Sequence, residues 1–245
     1  MLPTLQVGPL AIQLPGLLIL AGLWLGLSLA ERHAWRFNVK PTDLFNLALI
    51  ALLAGIIGAR LAYVVRYPAA FALSPMSIFS LNPGLLDPLA GLATAVLSGL
   101  VYGQRKNLSF WSTLDALTPA LAVLLVAQGL ANLASGAAFG APTSLPWAVE
   151  LWGAARHPTQ VYETLAAGIV LGLIWPGKGL FRSSAPGVYF LTFVALSSGS
   201  RLFLEAFRGD SQLLWAGLRS TQLAAWLALA ASLLGITYKL QRKQT

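Results

Sequence analysis

Long apolar stretches alternate with short polar segments along the whole chain. A helix needs about 20 apolar residues to cross roughly 30 Å of hydrocarbon. Stretches of this kind lie near 14–30, 43–65, 84–103, 112–134, 160–175, 187–207 and 221–238. They lack the period-two alternation of barrel strands. The pattern therefore predicts an all-α integral membrane protein, a bundle of about seven transmembrane helices.

The connections between these stretches predict one transmembrane domain over residues 1–245, because no long linker or repeat interrupts the chain. Two connections, 66–83 and 135–159, are longer than the topology requires, and such loops are more often functional than accidental. Within the spans, three glycine pairs have the spacing that lets helices approach closely. These pairs are Gly22/Gly26, Gly99/Gly103 and Gly168/Gly172.

The distribution of basic residues predicts the orientation. With the N-terminus outside, ten Lys and Arg residues fall on the cytoplasmic side and six on the outer side. Short cytoplasmic loops hold the excess of Lys and Arg, so we expect the N-terminus outside and the C-terminus in the cytoplasm. No basic residue precedes Arg32, unlike in a signal peptide, so the first apolar stretch is expected to remain as a span.

Composition supports the membrane assignment and limits the classes of molecule that are expected to bind the chain. Hydrophobic residues make up 57% of the chain and charged residues only 10%, too few to cover a water-facing surface. The net charge is +8, but the basic residues are scattered between apolar runs, which favours anionic lipid over nucleic acid as a partner. With no cysteine and two histidines, we expect neither a metal site nor a cofactor.

Three ionisable residues share one helical face near the outer end of the sixth span. Arg201, Glu205 and Arg208 are spaced i, i+4, i+7, and charges within spans are costly enough to mark candidate sites. Two guanidinium groups beside a carboxylate suit an anion such as a lipid phosphate. The same spacing fits an internal ion pair in which both arginines hold Glu205 and lock the bundle.

A dense polar segment, 156–163, opens the fifth span. Its proline favours a helix start, with free backbone N–H groups at the outer boundary. His157 could act there as an acid or a base, and Glu163, one turn further in, needs a partner. A polar helix cap at the interface is the simpler alternative.

Three further candidates among the charged residues within predicted spans are Arg60, Asp87 and Asp115. Arg60 in the second span is expected either to extend its side chain to the membrane surface or, inside the bundle, to form an ion pair or contact a lipid headgroup. Asp115, near the inner start of the fourth span, is interpreted as a charge that stabilises the start of its own helix.

Taken together, these motifs resemble the prolipoprotein diacylglyceryl transferases, bacterial membrane enzymes that attach diacylglyceryl from phosphatidylglycerol to a lipobox cysteine. The segments that carry the resemblance are Val7-Gly8-Pro9-Leu10, GARLAYV at 58–64, LDALTPALA at 114–122, Leu145-Pro146-Trp147, RHPTQVYE at 156–163, RLFLEAFRGD at 201–210 and GLRSTQLAA at 217–225.

The resemblance implies a multi-pass protein of the bacterial cytoplasmic (inner) membrane, with phosphatidylglycerol or another anionic lipid and a prolipoprotein as partners. It implies catalytic roles for His157, Glu163 and Arg201. The substrate-binding residues that it implies are Arg60, Asn132, Gly140, Gln160, Tyr162, Glu205 and Arg208.

The chain departs from the family pattern at positions where chemistry is expected. The signature loop of the family reads approximately Gly-Arg-x-Gly-Asn-Phe-x-Asn-Gly-Glu, and here its arginine is Gly129 and its glutamate is Ala137. A histidine- or tyrosine-containing segment before the third span is replaced around Pro88. Two hypotheses follow. The chain is an active transferase, or it is a retired homologue that serves as a lipid-binding or structural subunit of a larger membrane complex.

Overall fold

A computed structural model of the chain describes residues 4–7, 10–80, 82–175, 185–211 and 219–244. Its helices are α1 Leu14–His33, α2 Pro41–Arg66, α3 Pro68–Leu73, α4 Pro88–Arg105, α5 Phe110–Ser135, α6 Thr159–Leu173, α7 Val188–Glu205 and α8 Ser220–Gln244. Short 3-10 turns cover Ala34–Phe37, Pro75–Phe79 and Pro83–Leu85. Two antiparallel hairpins pair β1 Thr4–Val7 with β2 Leu10–Gln13, and β3 Val149–Leu151 with β4 Ala154–Arg156.

The helices follow the predicted apolar stretches, and the prediction of a helical membrane protein is confirmed. Within the described ranges, four helices are long and apolar enough to cross a membrane: Leu14–Phe37, Pro41–Arg66, Phe110–Ser135 and Ser220–Arg242. Helix α6 has 15 residues. At about 1.5 Å per residue it is shorter than the hydrocarbon thickness. Seven spans and the orientation therefore stay predictions.

Local sequence fixes several of the helix ends. Helices α1, α2 and α4 have proline in the first turn, where its missing N–H costs nothing. Asp87 caps α4, since its Oδ1 accepts hydrogen bonds from Leu89 N at 3.1 Å and Ala90 N at 3.0 Å. Helix α5 ends at Gly136, whose φ of 76° favours glycine. The segment around Pro88, which replaces the histidine- or tyrosine-containing segment, is thus a capped helix start.

Close approach of antiparallel helices holds α1 against α5. A Cβ atom on Gly26 would lie 2.9 Å from the Ala120 carbonyl oxygen, and one on Gly22 would overlap Ala127. The packing role predicted for these two glycines is therefore confirmed. For Gly168 and Gly172 it is wrong, because no described atom lies within 4 Å of a Cβ placed there.

Asp115 connects α5 to α7. Its side chain is 3% exposed and accepts hydrogen bonds from Gly187 N at 2.5 Å and Phe190 N at 2.8 Å. The interpretation of Asp115 as a charge at its own helix start is therefore wrong. Helix α5 begins at Phe110, and Asp115 caps the N-terminus of α7 instead.

The antiparallel course of the long helices brings the motifs at 58–64, 156–163 and 201–210 to one end of the bundle. The C-terminal ends of α2, α5 and α7 lie there with the N-terminal ends of α1, α4, α6 and α8. The motif residues Gly8, Pro9, Gly217 and Leu218, and the basic residues Lys178 and Arg182, lie outside the described residues.

Candidate functional site

Glu163, in the second turn of α6, joins the two motifs that the sequence singled out. Its Oε1 accepts hydrogen bonds from Arg201 Nη1 at 2.8 Å and from Arg208 Nη1 at 2.6 Å. The Glu163 side chain is 13% exposed, so both contacts are sheltered from water. The partner that Glu163 needs is thus a pair of arginines at the end of α7.

Glu205 is the fully buried carboxylate of this cluster, with 0% exposure. Its Oε1 accepts hydrogen bonds from the Ser211 hydroxyl and from Thr221 Oγ1 at 2.5 Å, and its Oε2 lies 3.2 Å from Arg201 Nε. Arg201 is therefore held between two carboxylates, Glu163 and Glu205. This differs from the arrangement in which both Arg201 and Arg208 hold Glu205.

Arg208 is held by other partners. Its Nε and Nη2 donate to Asp210 at 3.0 and 2.9 Å, while Nη1 contacts Glu163. Burial alone would lower the pKa of the Arg208 guanidinium, but the charges and hydrogen bonds of Glu163 and Asp210 raise it. Arg219 closes the end of α7 by donating to the carbonyl oxygens of Glu205 and Arg208, the latter at 3.0 Å. Arg208 and Arg219 thus donate their hydrogen bonds to groups of the protein itself.

A cavity of about 130 Å³ opens beside this cluster, between α5, α6 and α7. Aliphatic side chains cover part of its wall, and its polar lining consists of Gln128, Asn132, Glu163, Ser197, Ser200 and Arg201. The Arg201 side chain is 35% exposed, against 11% for Arg208. Among the described residues, none accepts a hydrogen bond from Arg201 Nη2. Arg201 is thus the cation that the cluster presents to the cavity.

The two substituted signature positions, Gly129 and Ala137, both make contacts within the protein: Gly129 packs against a neighbouring helix, and Ala137 forms a hydrogen bond in a loop. A Cβ atom on Gly129 would lie 3.0 Å from Thr164 Cα and 3.1 Å from Thr164 N, so α5 and α6 touch where the family carries an arginine. The carbonyl oxygen of Ala137 accepts a hydrogen bond at 2.9 Å from Nε2 of Gln160, which is 1% exposed. Gln160 therefore holds the loop after α5 rather than facing the cavity.

The loop between α5 and α6 places His157 beside the cluster. Ala141 N donates to the Phe207 carbonyl at 2.8 Å, and His157 N donates to the Ala141 carbonyl at 3.1 Å. A Cβ atom on Gly140 would lie 2.6 Å from His157 Cβ, which explains the glycine there. The His157 ring packs 5.2 Å from the Phe207 ring, and its Nδ1 is buried without a partner in the described part of the chain.

Tyr162 lies next to His157 and faces the same loop. Its hydroxyl accepts a hydrogen bond at 2.8 Å from Trp147 Nε1, and its ring centre lies 6.2 Å from that of His157. The three rings of His157, Tyr162 and Phe207 contact one another edge to face. The structure thus brings six predicted residues to adjacent positions: His157, Tyr162, Glu163, Arg201, Glu205 and Arg208.

Arg60 is not part of this cluster. It is 8% exposed, and its guanidinium donates to the carbonyl oxygens of Ile78 at 2.8 Å, Leu85 at 2.9 Å and Ser77. It therefore fastens the segment 74–85 to α2. Within the described residues, no hydrogen bond or ion pair connects Arg60 to Glu163 or Arg201.

Sequence reasoning missed several polar residues of the cavity wall. Gln128, Ser197 and Ser200 were not singled out, since neutral residues in a span give no charge signal. Asp210 and Arg219 lay within quoted motifs but had no assigned contact. In the described ranges, no group of three or more His, Cys, Asp or Glu side chains is placed to hold a metal ion.

Comparison with known proteins agrees with the motif pattern. The family model described as prolipoprotein diacylglyceryl transferase matches residues 3–238. The phosphatidylglycerol–prolipoprotein diacylglyceryl transferase of Clostridioides difficile (strain 630) is 31% identical over 226 residues, 91% of this chain and 89% of that protein. The protein of the same name from Bordetella parapertussis is 31% identical over 242 residues, 94% of this chain and 91% of that protein. The chain belongs to the prolipoprotein diacylglyceryl transferase family.

Proposed function

We propose that this chain transfers diacylglyceryl from phosphatidylglycerol to the cysteine thiol of a lipobox. The names of its relatives give both substrates for the family. The observation that carries the proposal is Arg201, a cation on the cavity wall that two carboxylates fix in place. A guanidinium fixed in this way can bind a phosphodiester without reorganising as charge develops.

The reaction displaces a phosphate ester with a thiolate. The cysteine thiol loses its proton, its sulfur forms a bond to the terminal glycerol carbon of the diacylglyceryl group, and the bond from that carbon to the phosphate oxygen breaks. Glycerol-1-phosphate leaves with the electron pair. Negative charge grows on this leaving group, next to where we place Arg201.

We assign the thiol proton to His157. Its buried Nδ1 has no partner in the described ranges, and an imidazole nitrogen can accept a proton as a general base. Glu163 accepts from two arginines, so its role in this proposal is to position Arg201. Asn132 lines the cavity and orients the headgroup, while Tyr162 and Gly140 shape the loop that holds His157.

We infer in addition that the chain is one domain over residues 1–245 with seven spans in a bacterial inner membrane, the N-terminus outside and the C-terminus in the cytoplasm. The motifs at 58–64, 156–163 and 201–210 lie at the end of the bundle where α1 begins. An N-terminus outside the cytoplasm would place this end at the outer face of that membrane. The balance of Lys and Arg favours that orientation.

The test is transfer of labelled diacylglyceryl from phosphatidylglycerol to a lipobox peptide by the purified protein. Arg201→Ala should lower the rate about 10²–10³-fold, the usual effect of removing a fixed donor to the transition state. Arg66→Ala is the matched control, because the Arg66 side chain is 68% exposed and pairs with Asp87 at the surface. Transfer that survives Arg201→Ala would contradict the assignment.

A second candidate rests on the contact between Gly129 and Thr164. The chain lacks the signature arginine and has filled its place with a helix contact, which fits a retired homologue that binds lipid as a subunit of a membrane complex. That function predicts retained phosphatidylglycerol binding and no transfer, from folded protein assayed beside an active family member. A stoichiometric partner in purifications from native membranes would favour it.

A further inference from the structure

We infer that Gln128 is a headgroup-binding residue of this chain, which donates to the lipid phosphodiester and fixes Asn132 as a second donor. The inference rests on the proposed lipid substrate. Gln128 stands next to the position of the missing signature arginine, where the family pattern has glycine. It is an exposed residue on the face of α5 that lines the cavity.

The hydrogen bond between the two amides sets their orientation. Gln128 Nε2 donates to Asn132 Oδ1 at 2.9 Å, one helical turn further along α5. One lone pair of the Asn132 oxygen is thereby engaged, while both N–H groups of Asn132 can serve a ligand. Gln128 keeps a second N–H of its own. The pair therefore presents several N–H donors to the cavity, and its remaining acceptors are Gln128 Oε1 and the second lone pair of Asn132 Oδ1.

The charges of the cluster beside the cavity explain why uncharged hydrogen-bond donors matter for binding an anion. The cluster holds three arginines, Arg201, Arg208 and Arg219, against three carboxylates, Glu163, Glu205 and Asp210. Three positive and three negative charges leave no net charge for an anion. The oxygens of a phosphodiester accept hydrogen bonds only, so N–H groups on the α5 wall of the cavity match its chemistry.

The adjacent position cannot supply the donor. A side chain at Gly129 would meet the backbone of Thr164, with Cα and N only 3.0 and 3.1 Å from the new Cβ. Position 128 has no such obstacle and its side chain already lines the cavity. We therefore assign to Gln128 part of the anion binding that an arginine gives elsewhere in the family.

The test is a charge series at position 128. Phosphatidylglycerol binding to the purified protein is measured for Gln128→Glu, Gln128→Leu, Gln128→Arg and the unaltered chain, with thermal unfolding to verify folding. Removing a hydrogen-bond donor to an anion weakens affinity by about tenfold or more. We expect Gln128→Leu to bind about tenfold more weakly, Gln128→Glu more weakly still, and Gln128→Arg at least as tightly as the unaltered chain. Gln104→Leu, an exposed glutamine on α4, should change nothing.

Two further arms separate this inference from the proposed function. When the ligand is diacylglycerol, which has no phosphate, the differences in affinity among the four proteins of the charge series should disappear. Transfer to a lipobox peptide is measured on the same variants, and we expect KM to rise more than kcat falls. Binding that follows the series without any transfer would support Gln128 and contradict the proposed enzyme. Equal binding by all four proteins, or no binding by the unaltered chain, would overturn the inference.

Discussion

Gly129 of α5 meets Thr164 of α6 at a distance that leaves no room for a side chain, since a Cβ atom on Gly129 would lie 3.0 Å from Thr164 Cα. This contact lies where the signature arginine of the family would stand. The substitution is therefore coupled to helix packing as well as to charge. Restoring the arginine alone would separate α5 from α6 rather than rebuild the family site.

We expect Gly129→Ala to destabilise the protein by about 1–3 kcal/mol, because overpacking a close contact costs that much. Gly168→Ala on α6 is the matched control, since a Cβ there meets no described atom within 4 Å. Helix propensity makes that control neutral or stabilising by up to about 1 kcal/mol. Thermal unfolding in one detergent compares the two. Equal unfolding midpoints for Gly129→Ala and Gly168→Ala would contradict the close packing of Gly129 against Thr164.

Glu163→Gln should impair both folding and transfer. The change leaves two partly buried arginine contacts without their carboxylate, which costs about 1–3 kcal/mol. It also frees Arg201 to move, so the rate should fall with Arg201 still present. Glu150→Gln, an exposed glutamate on β3, provides the comparison and should behave like the unaltered protein. A Glu163→Gln protein with normal turnover would exclude the positioning role.

Asp115→Asn should affect stability without affecting substrate use. Asp115 accepts from Gly187 N and Phe190 N, and losing an N-terminal cap costs about 0.5–2 kcal/mol. KM for phosphatidylglycerol should stay unchanged, because Asp115 lies at the opposite end of α5 from Asn132. Asp43→Asn, in the first turn of α2, serves as the control. A change in KM with an unaltered unfolding midpoint would be inconsistent with the capping role.

Arg60→Gln should release the segment 74–85. Three carbonyl oxygens of this segment accept from the Arg60 guanidinium, so we expect faster chymotryptic cleavage near Phe79, which is 78% exposed. Arg66→Gln should leave cleavage unchanged. If Arg60→Gln instead weakened phosphatidylglycerol binding and left cleavage unaltered, Arg60 would be a headgroup ligand as the family resemblance implies.

The apolar pattern was sufficient to place the long helices, because burial in lipid requires continuous apolar segments. It could not give the short elements at the end of the bundle where α1 begins. The hairpin of β3 and β4 and the 3-10 turns of 74–85 depend on tertiary contacts, such as those of Arg60 and of Trp152, whose Nε1 donates to the Gly136 carbonyl at 3.3 Å. The residues next to each element in the sequence do not identify these distant contact partners.

Charge within a span was the signal that found Glu163, Arg201 and Glu205, and the i, i+4, i+7 spacing added Arg208. The spacing on α7 could not reveal which carboxylate each arginine contacts, because Glu163 comes from a different helix. Gln128 gave no signal at all, since a neutral amide in a span costs far less than a charge. Only the geometry of the cavity brings it into the candidate site.

The central claim is that the cavity between α5, α6 and α7 holds the headgroup of phosphatidylglycerol. The most direct measurement is crosslinking with a phosphatidylglycerol analogue whose headgroup carries a photoactivatable group, followed by mapping of the labelled residues. We predict labels at the cavity wall near Gln128, Asn132 and Ser197, which unlabelled phosphatidylglycerol displaces and which Arg201→Ala reduces. Labels confined to the lipid-facing sides of α2 and α4, without displacement, would contradict the claim.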